Sequence, residues 1–516
     1  MKRIGIFLTV GLLACGGSDA TPGAGGGGQG GGIGGGEPVD ACPALGATEC
    51  VGTSVRTCTQ AADGLAWSEP EVCPGEQTCK GDSCQDPTAS QLAQAAAAES
   101  YLQALVDGSG WDGPFDAEAV GQEARGLILK GDGSDLAFKT AMRAIHLAHP
   151  QGHQSLFDET CGADMPSQNT SRLGVCGRPR GDAIVVTFAQ ADNPLGLEPG
   201  DLVTGAGPDD GEAMLEAAAR RPVCGASAPS VSSRRTMAAA SFFGTVPVGM
   251  ELRIERVDGT TETLVAPEGG GVISCQDPLG RDIAFDADSY LRPDGVGVIR
   301  LPRFFPLNHP LPPNPTPADI DALIEAMRQP VIAAFEQVKS APAIVWDARS
   351  NYGGITPVGL EIVGGMPSAQ AMPISSCRAR IEGSDPPAFS SFTYAEYAIA
   401  VGGAFAYTGE VAVLIDGLDY SAADYFPYAV TQAAPGTLLV GTPTAGAYGG
   451  AGPQLTFDGP PLIGATIDPN RCADVDETPL EGHAVPPDLL VEYDRQDLAA
   501  GVDTVMEAAV AALLAP

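Results

Sequence analysis

Short unbroken apolar runs alternate with segments of helical period through the C-terminal half of the chain. Residues 411–415 (Val-Ala-Val-Leu-Ile) are long enough for a buried strand and too short for a buried helix. A turn follows, and Ser421 opens an amphipathic helix. A second apolar run, 437–440, leads into a loop of glycine and threonine. Upstream, 295–305 reads as another core strand, a proline-rich loop spans 306–317, and a helix runs over 318–340. The alternation continues to a C-terminal helix at 501–514 and predicts an α/β core with a mixed sheet.

The first half has a different texture. Helical periodicity covers 92–106 and 136–147, and the segment 149–157 breaks it with Pro150 and Gly152. Strand-like patterns follow at 182–189 and 194–203. Residues 249–267 read as a hairpin turning at Asp258-Gly259. The stretch between them, including 227–240, matches no expected element.

The N-terminus changes the picture of where the protein works. Residues 1–15 combine a basic start with a short apolar core ending in Leu-Ala-Cys, a secretion signal too short to span a bilayer. A small residue before Cys15 resembles a bacterial lipoprotein box, which implies lipidation of Cys15. Residues 16–39 are more than half glycine with a few polar residues, a flexible tether with no core-forming capacity. Lipid anchoring in the cell envelope, on the periplasmic or surface face of an outer membrane, is the expected location. Thirteen cysteines suit an oxidising compartment. Apart from Cys15 they fall into two even groups: Cys42, Cys50, Cys58, Cys73, Cys79 and Cys84 in a small module at 40–86, and Cys161, Cys176, Cys224, Cys275, Cys377 and Cys472 beyond it. Both groups are disulfide candidates whose connectivity the spacing leaves open. Zinc is disfavoured in the module, which lacks both histidine and a Cys-x-x-Cys pair.

Across 516 residues, 44% hydrophobic content supplies a large core, and the formal net charge is −36. An exterior this acidic argues against nucleic acid or an anionic membrane surface as partner, leaving the lipid anchor as the membrane contact.

A serine at the mouth of a strand–turn–helix sits where helix N-terminal amides point at whatever it attacks. Its bland alternative is an N-cap whose side chain satisfies the first helical turn. The surroundings favour the nucleophile. Ser421-Ala422-Ala423-Asp424, followed by Val440-Gly441-Thr442-Pro443-Thr444-Ala445-Gly446, resembles the serine region of the C-terminal processing (tail-specific) peptidase family. Residues 343–354, AIVWDARSNYGG, resemble that family's strand ending in Asp-x-Arg-x-Asn-x-Gly-Gly. Residues 481–494, EGHAVPPDLLVEYD, resemble its late Glu-x-x-x-Val-x-Pro-Asp signature. Three matches in the family's order cover roughly 90–510.

The resemblance implies a ClpP/crotonase-like core at 271–516, a PDZ-like insert at 161–270 and an N-terminal helical part at 87–160. It implies acyl transfer from Ser421 without metal or cofactor. One branch of the family uses a lysine after the serine; here no lysine follows Lys339 and its position is Ala447. The tricorn-like branch uses histidine and glutamate, and Gly152-His153-Gln154-Ser155-Leu156 resembles its base-presenting turn. This yields Ser421, His153 and Glu481 as nucleophile, base and orienter. His483 is the rival base, His146 and His149 suit surface or capping roles near a helix end, and His309 is expected in solvent. The amides of Gly353 or Gly354 with Ala422 are the expected oxyanion donors. Asp347 and Arg349 brace the loop. Gly152 stands where tricorn-like enzymes carry serine, so a member of their network is missing.

Polypeptide tails or loosely folded proteins are the implied substrates, with oligomeric state open. A peptide- or ligand-binding protein without catalysis on the same scaffold, and an esterase or amidase of the same mechanism, are the competing readings.

Overall fold

The computed structural model describes residues 42–515 apart from 52–53, 62–63, 81, 112, 159–160, 162–164, 282–286, 307–308, 310–311, 313–314, 382, 385–387 and 451. The expected leader, Cys15 and the whole tether lie outside them.

The cysteine module is a set of short antiparallel strands held by Cys42–Cys58, Cys50–Cys79 and Cys73–Cys84. Three helices follow: Ala89–Gly108, Ala117–Leu129 and Asp135–Ala148. Thr88 opens the first with a capping box completed by Gln91. The middle helix was not expected; its sequence carries two helix-weakening glycines, Gly121 and Gly126. It is placed by tertiary packing of Ala124, Ile128 and Leu129.

Residues 155–158 leave this bundle as a strand that pairs antiparallel with Ile463–Thr466. That pairing carries the preceding segment, 149–154, onto the C-terminal core.

The insert region forms an antiparallel sheet in the order 261–265, 251–255, 202–206, 183–189, 175–180, with helices Gly211–Ala219 and Val231–Thr245 over its own apolar core. The hairpin turns at Gly259 with φ +86°. Helix 231–245 fills the stretch for which no element was expected. Ser230 and Ser233 give it a capping box. Its composition, alanine and serine around Met237, Phe242 and Phe243, lets it lie close to two neighbours at once.

The core is a six-stranded mixed sheet in the order Asp288–Leu291, Gly297–Arg300, Ala343–Asp347, Glu410–Ile415, Leu438–Gly441, Leu489–Leu490. Only the first pair is antiparallel. Val345, Val413 and their neighbours are buried on both faces, as a parallel sheet requires. Helices Pro317–Val338, Thr356–Gly365 and Ala422–Ala433 cover one face, and Thr504–Leu513 covers the other. The remaining six cysteines pair as Cys161–Cys224, Cys176–Cys275 and Cys377–Cys472. No helix among the described residues is long and apolar enough to cross a membrane, and the disulfides are consistent with an extracytoplasmic protein.

Candidate active site

Two strand ends build the floor. After Ala343–Asp347 the chain enters the loop 348–355, and after Glu410–Ile415 it enters the turn 416–421. The two are stitched together: Tyr420 N donates to Asn351 O at 2.9 Å, and Asn351 N donates to Asp419 Oδ1 at 3.2 Å. Asp416 accepts from Ser350 N and Ser350 Oγ. Arg349, buried between Asp347 and Asp503, pins the loop from below, which is the bracing role expected of it. Burial disfavours ionising Asp347, yet the adjacent guanidinium overrides this and holds its carboxyl down at about 2.

Ser421 follows this turn at the N-terminus of helix 422–433. Its φ of +62° with ψ −121° is a left-handed conformation costly for a side-chain-bearing residue. Its side chain makes no capping bond. The N-cap alternative is therefore not what this residue does.

A Cβ on Gly353 would fall 2.5 Å from Ser421 Cβ and 2.8 Å from Ala422 N, so glycine is obligatory there. Its φ of +85° makes the same demand. The two candidate glycines differ in hydrogen bonding. Gly353 N donates to Asn351 Oδ1 at 2.8 Å and is committed. Among the described residues neither Gly354 N nor Ala422 N has an acceptor.

The loop after Leu438–Gly441 closes one side. Ser421 N donates to Ala447 O at 3.0 Å, while Gly446 N and Ala447 N each donate to the buried Asp424 carboxylate at 2.8 Å. Gly482 N donates to Gly446 O, which ties in the segment carrying Glu481.

Segment 149–154 closes the other side. Gly152 N donates to Glu481 Oε1 at 2.6 Å, and Tyr448 N and Gly449 N donate to Glu481 Oε2 at 2.9 and 3.1 Å. A Cβ on Gly152 would collide with Ala447 Cβ and sit 2.9 Å from both Glu481 Oε1 and the Tyr420 hydroxyl. The serine that tricorn-like enzymes carry has no room here. The His153 ring lies against Tyr420, ring centres 5.0 Å apart, on the residue next to Ser421. His153 Nδ1 is buried without a hydrogen bond, 3.9 Å from Asp468 Oδ2. Asp468, fully buried, also accepts from Gly450 N and Asn470.

Thus Tyr420 and Ala447 link Ser421 and the Gly353 turn on one side to Gly152, His153 and Glu481 on the other. Asp468 is the member that the sequence did not reveal. It lies between the hairpin strand 463–466 and the strand 470–474, outside any recognisable motif.

The other histidines sort clearly. Of the surface or capping roles expected for His146 and His149, His149 takes the C-terminal cap position of helix Asp135–Ala148, and both side chains are buried instead of exposed. Arg143 Nη1 donates to His146 Nδ1, which leaves His146 Nε2 as donor to Gln154 O, and Gln154 Nε2 donates to His149 Nδ1. Their task is to hold the turn that presents His153. His483 is exposed, and His309 is partly exposed.

Electrostatically the site is a buried acid cluster. Burial pushes Glu481 up to about 7 and Asp424 up to about 8. Asp468 rises well above the usual carboxylate range through burial and then through the Glu481 charge. Burial pulls His153 down to about 4, leaving it a neutral imidazole at neutral pH.

Comparison with known proteins agrees with this architecture. Residues 295–491 match the profile of Peptidase family S41. Among solved structures, mature CPAF aligns over 82% of this chain and 97% of its own, with 14% identity and a TM-score of 0.56. Mature CPAF complexed with lactacystin gives 14% identity, 82% and 98% coverage and a TM-score of 0.55. The photosystem II D1 C-terminal processing protease aligns over 83% of this chain and 98% of its own, at 16% identity and a TM-score of 0.40. No curated protein sequence matches significantly. The match thus places a Peptidase family S41 domain at residues 295–491, on a fold similar to that of mature CPAF.

Proposed function

We propose that this protein is a serine endopeptidase that cleaves polypeptide tails or loosely folded proteins through an acyl-enzyme. Ser421 Oγ attacks the scissile carbonyl, His153 takes its proton and returns it to the leaving amine, and the Gly354 and Ala422 amides receive the oxyanion. Glu481 orients the site by holding Gly152 and the 448–449 loop, and Asp468 is the carboxylate nearest the His153 ring. The observation that carries this reading is the Ser421 backbone: a strained serine, uncapped, packed against a glycine turn with two unclaimed amides beside it. Strain of this kind persists where surrounding structure over-determines it.

The insert at 161–270 fits a PDZ-like role, with the edge strand of its sheet available for pairing with a substrate strand. Lipidation at Cys15 would hold the enzyme at the envelope on its glycine tether.

Labelling with a fluorophosphonate probe tests the chemistry directly. The wild-type protein should label, Ser421→Ala should not, and His153→Ala should label at least ~100-fold more slowly. A folded wild type that takes up no probe would overturn the catalytic reading in favour of peptide binding.

A further inference from the structure

Three arginines converge on a cavity whose lining holds no carboxylate. Arg143 comes from helix Asp135–Ala148, Arg221 follows helix Gly211–Ala219, and Arg234 lies on helix Val231–Thr245. With Gln168, Ser241 and apolar residues they line one small cavity of about 10 Å³, room for a single small occupant once the long arginine side chains adjust around it. This is unusual in a chain whose 64 acids outnumber its 28 bases. Most other arginines in the structure find an acid.

Their donors are only partly used, and what they use is neutral. Arg143 Nε donates to Ala219 O and its Nη1 to His146; Arg234 Nη2 donates to Leu147 O; Arg221 Nη2 reaches Met250 Sδ, with its guanidinium over the Phe242 ring. Arg221 Nη1, Arg234 Nε and Gln168 Nε2 are buried and have no partner. Among the described residues none of the three arginines makes an ion pair, and the one carboxylate that acts on them, Asp209, favours the Arg221 charge only from beyond ion-pair distance. Burial holds Arg143 and Arg221 down at about 10, so both remain cationic at neutral pH. Buried like charges repel strongly at low dielectric, and unsatisfied N–H groups add desolvation cost. A water could satisfy an N–H, but it cannot offset the charge.

We propose that this cavity is a binding site for a single-atom anion, a halide such as chloride. The ion would accept from Arg221 Nη1, Arg234 Nε and Gln168 Nε2 and neutralise the trio. Polyatomic oxyanions are too large for the space. The site would clamp the insert helices to the helix that ends at Ala148, five residues before His153.

The test is thermal unfolding of the purified full-length protein in sodium chloride, sodium bromide, sodium sulfate and sodium gluconate at equal ionic strength. Chloride and bromide should raise Tm saturably by about 2 °C or more over gluconate and sulfate. Arg221→Gln and Arg234→Gln should lose that difference. A bromide-soaked crystal should show anomalous density between the three guanidinium groups, a readout that needs no variant. Equal Tm in all four salts with no bromide density would overturn the proposal in favour of water alone. A sulfate effect as large as that of chloride would overturn the size selectivity that defines the site.

Discussion

At the scale of single residues, the identity of the carboxylates matters most. Glu481 is the residue that the sequence offers, yet both its oxygens are taken by backbone amides, while the ring nitrogen of His153 faces Asp468. Under the proposed mechanism, attack by Ser421 would need a neutral His153, present above about 4, and a negative charge in the cluster to stabilise the imidazolium. The charge arrives as Glu481 ionises, at about 7. Probe labelling should therefore rise with pH through a limb near 7, and Glu481→Gln should abolish that limb as well as slow labelling. Asp468→Asn should slow labelling ~10-fold or more while keeping the limb near 7, because Glu481 still titrates. An unchanged pH profile in Glu481→Gln would contradict the assignment. Gly353 is a second decisive position. A methyl group there meets Ser421 Cβ and forces an alanine into φ +85°, so Gly353→Ala should fold but lose ~100-fold or more of labelling. Undiminished labelling would show that the turn does not define the nucleophile's place.

At the scale of elements, the sequence revealed what local pattern encodes and missed what distant packing imposes. The strand–turn–helix around Ser421 was legible because an apolar run, a turn and an amphipathic segment all fall within 23 residues of local sequence (411–433). His153 and Glu481 were legible only through their motifs. Nothing in a one-dimensional pattern distinguishes the Gly353 amide, claimed by Asn351, from the Gly354 amide, which is not. Burial of His146 and His149 was equally hidden, since a histidine near a helix end looks solvated until another element covers it. Helix Val231–Thr245 escaped because its meaning is tertiary. Ser232 Oγ donates to Pro443 O at 2.7 Å, and Met237 and Ala240 pack on Leu418, Tyr420, Ala445 and Ala447. A Cβ on Gly417 would strike Thr236 Oγ1 and come within 2.9 Å of its Cβ. Gly417→Ala should thus push this helix away from the turn, costing about 1–3 kcal/mol of stability and slowing labelling. Combining it with Thr236→Gly should cost less than the sum of the two single changes, measured by denaturant unfolding. Strict additivity would mean that the contact carries no strain to the site.

At the scale of the whole molecule, buried titratable groups set how stability responds to pH, and the two kinds oppose each other. The folded pKa of Asp424, at about 8, lies above its unfolded value of 3.8, and that of Glu481, at about 7, lies above 4.5. Asp468 and Asp419 are raised in the same direction, chiefly by burial. The folded protein therefore holds these protons more tightly, and that stabilisation is lost as pH rises through 7 and 8. The buried histidines act the other way. His153 at about 4, His149 at about 3 and His146, held well below 6.5 by burial, favour the fold fully above 6.5, and this is lost as pH falls. Between 4.5 and 6.5 the raised acids and the depressed histidines oppose each other. Above 6.5 the acids act alone, and the growing repulsion of a surface at net −36 adds to them. Thermal unfolding at constant ionic strength should show a broad plateau near pH 5–6 and a steady fall of Tm from 6.5 to 8.5. Asp424→Asn, which cannot ionise, should shrink the fall above pH 7 even though it sacrifices one amide contact. A Tm that climbs from 6.5 to 8.5 would mean that the carboxyl cluster beside Ser421 is ionised at no cost, and that the site is wetter and less closed than its packing implies.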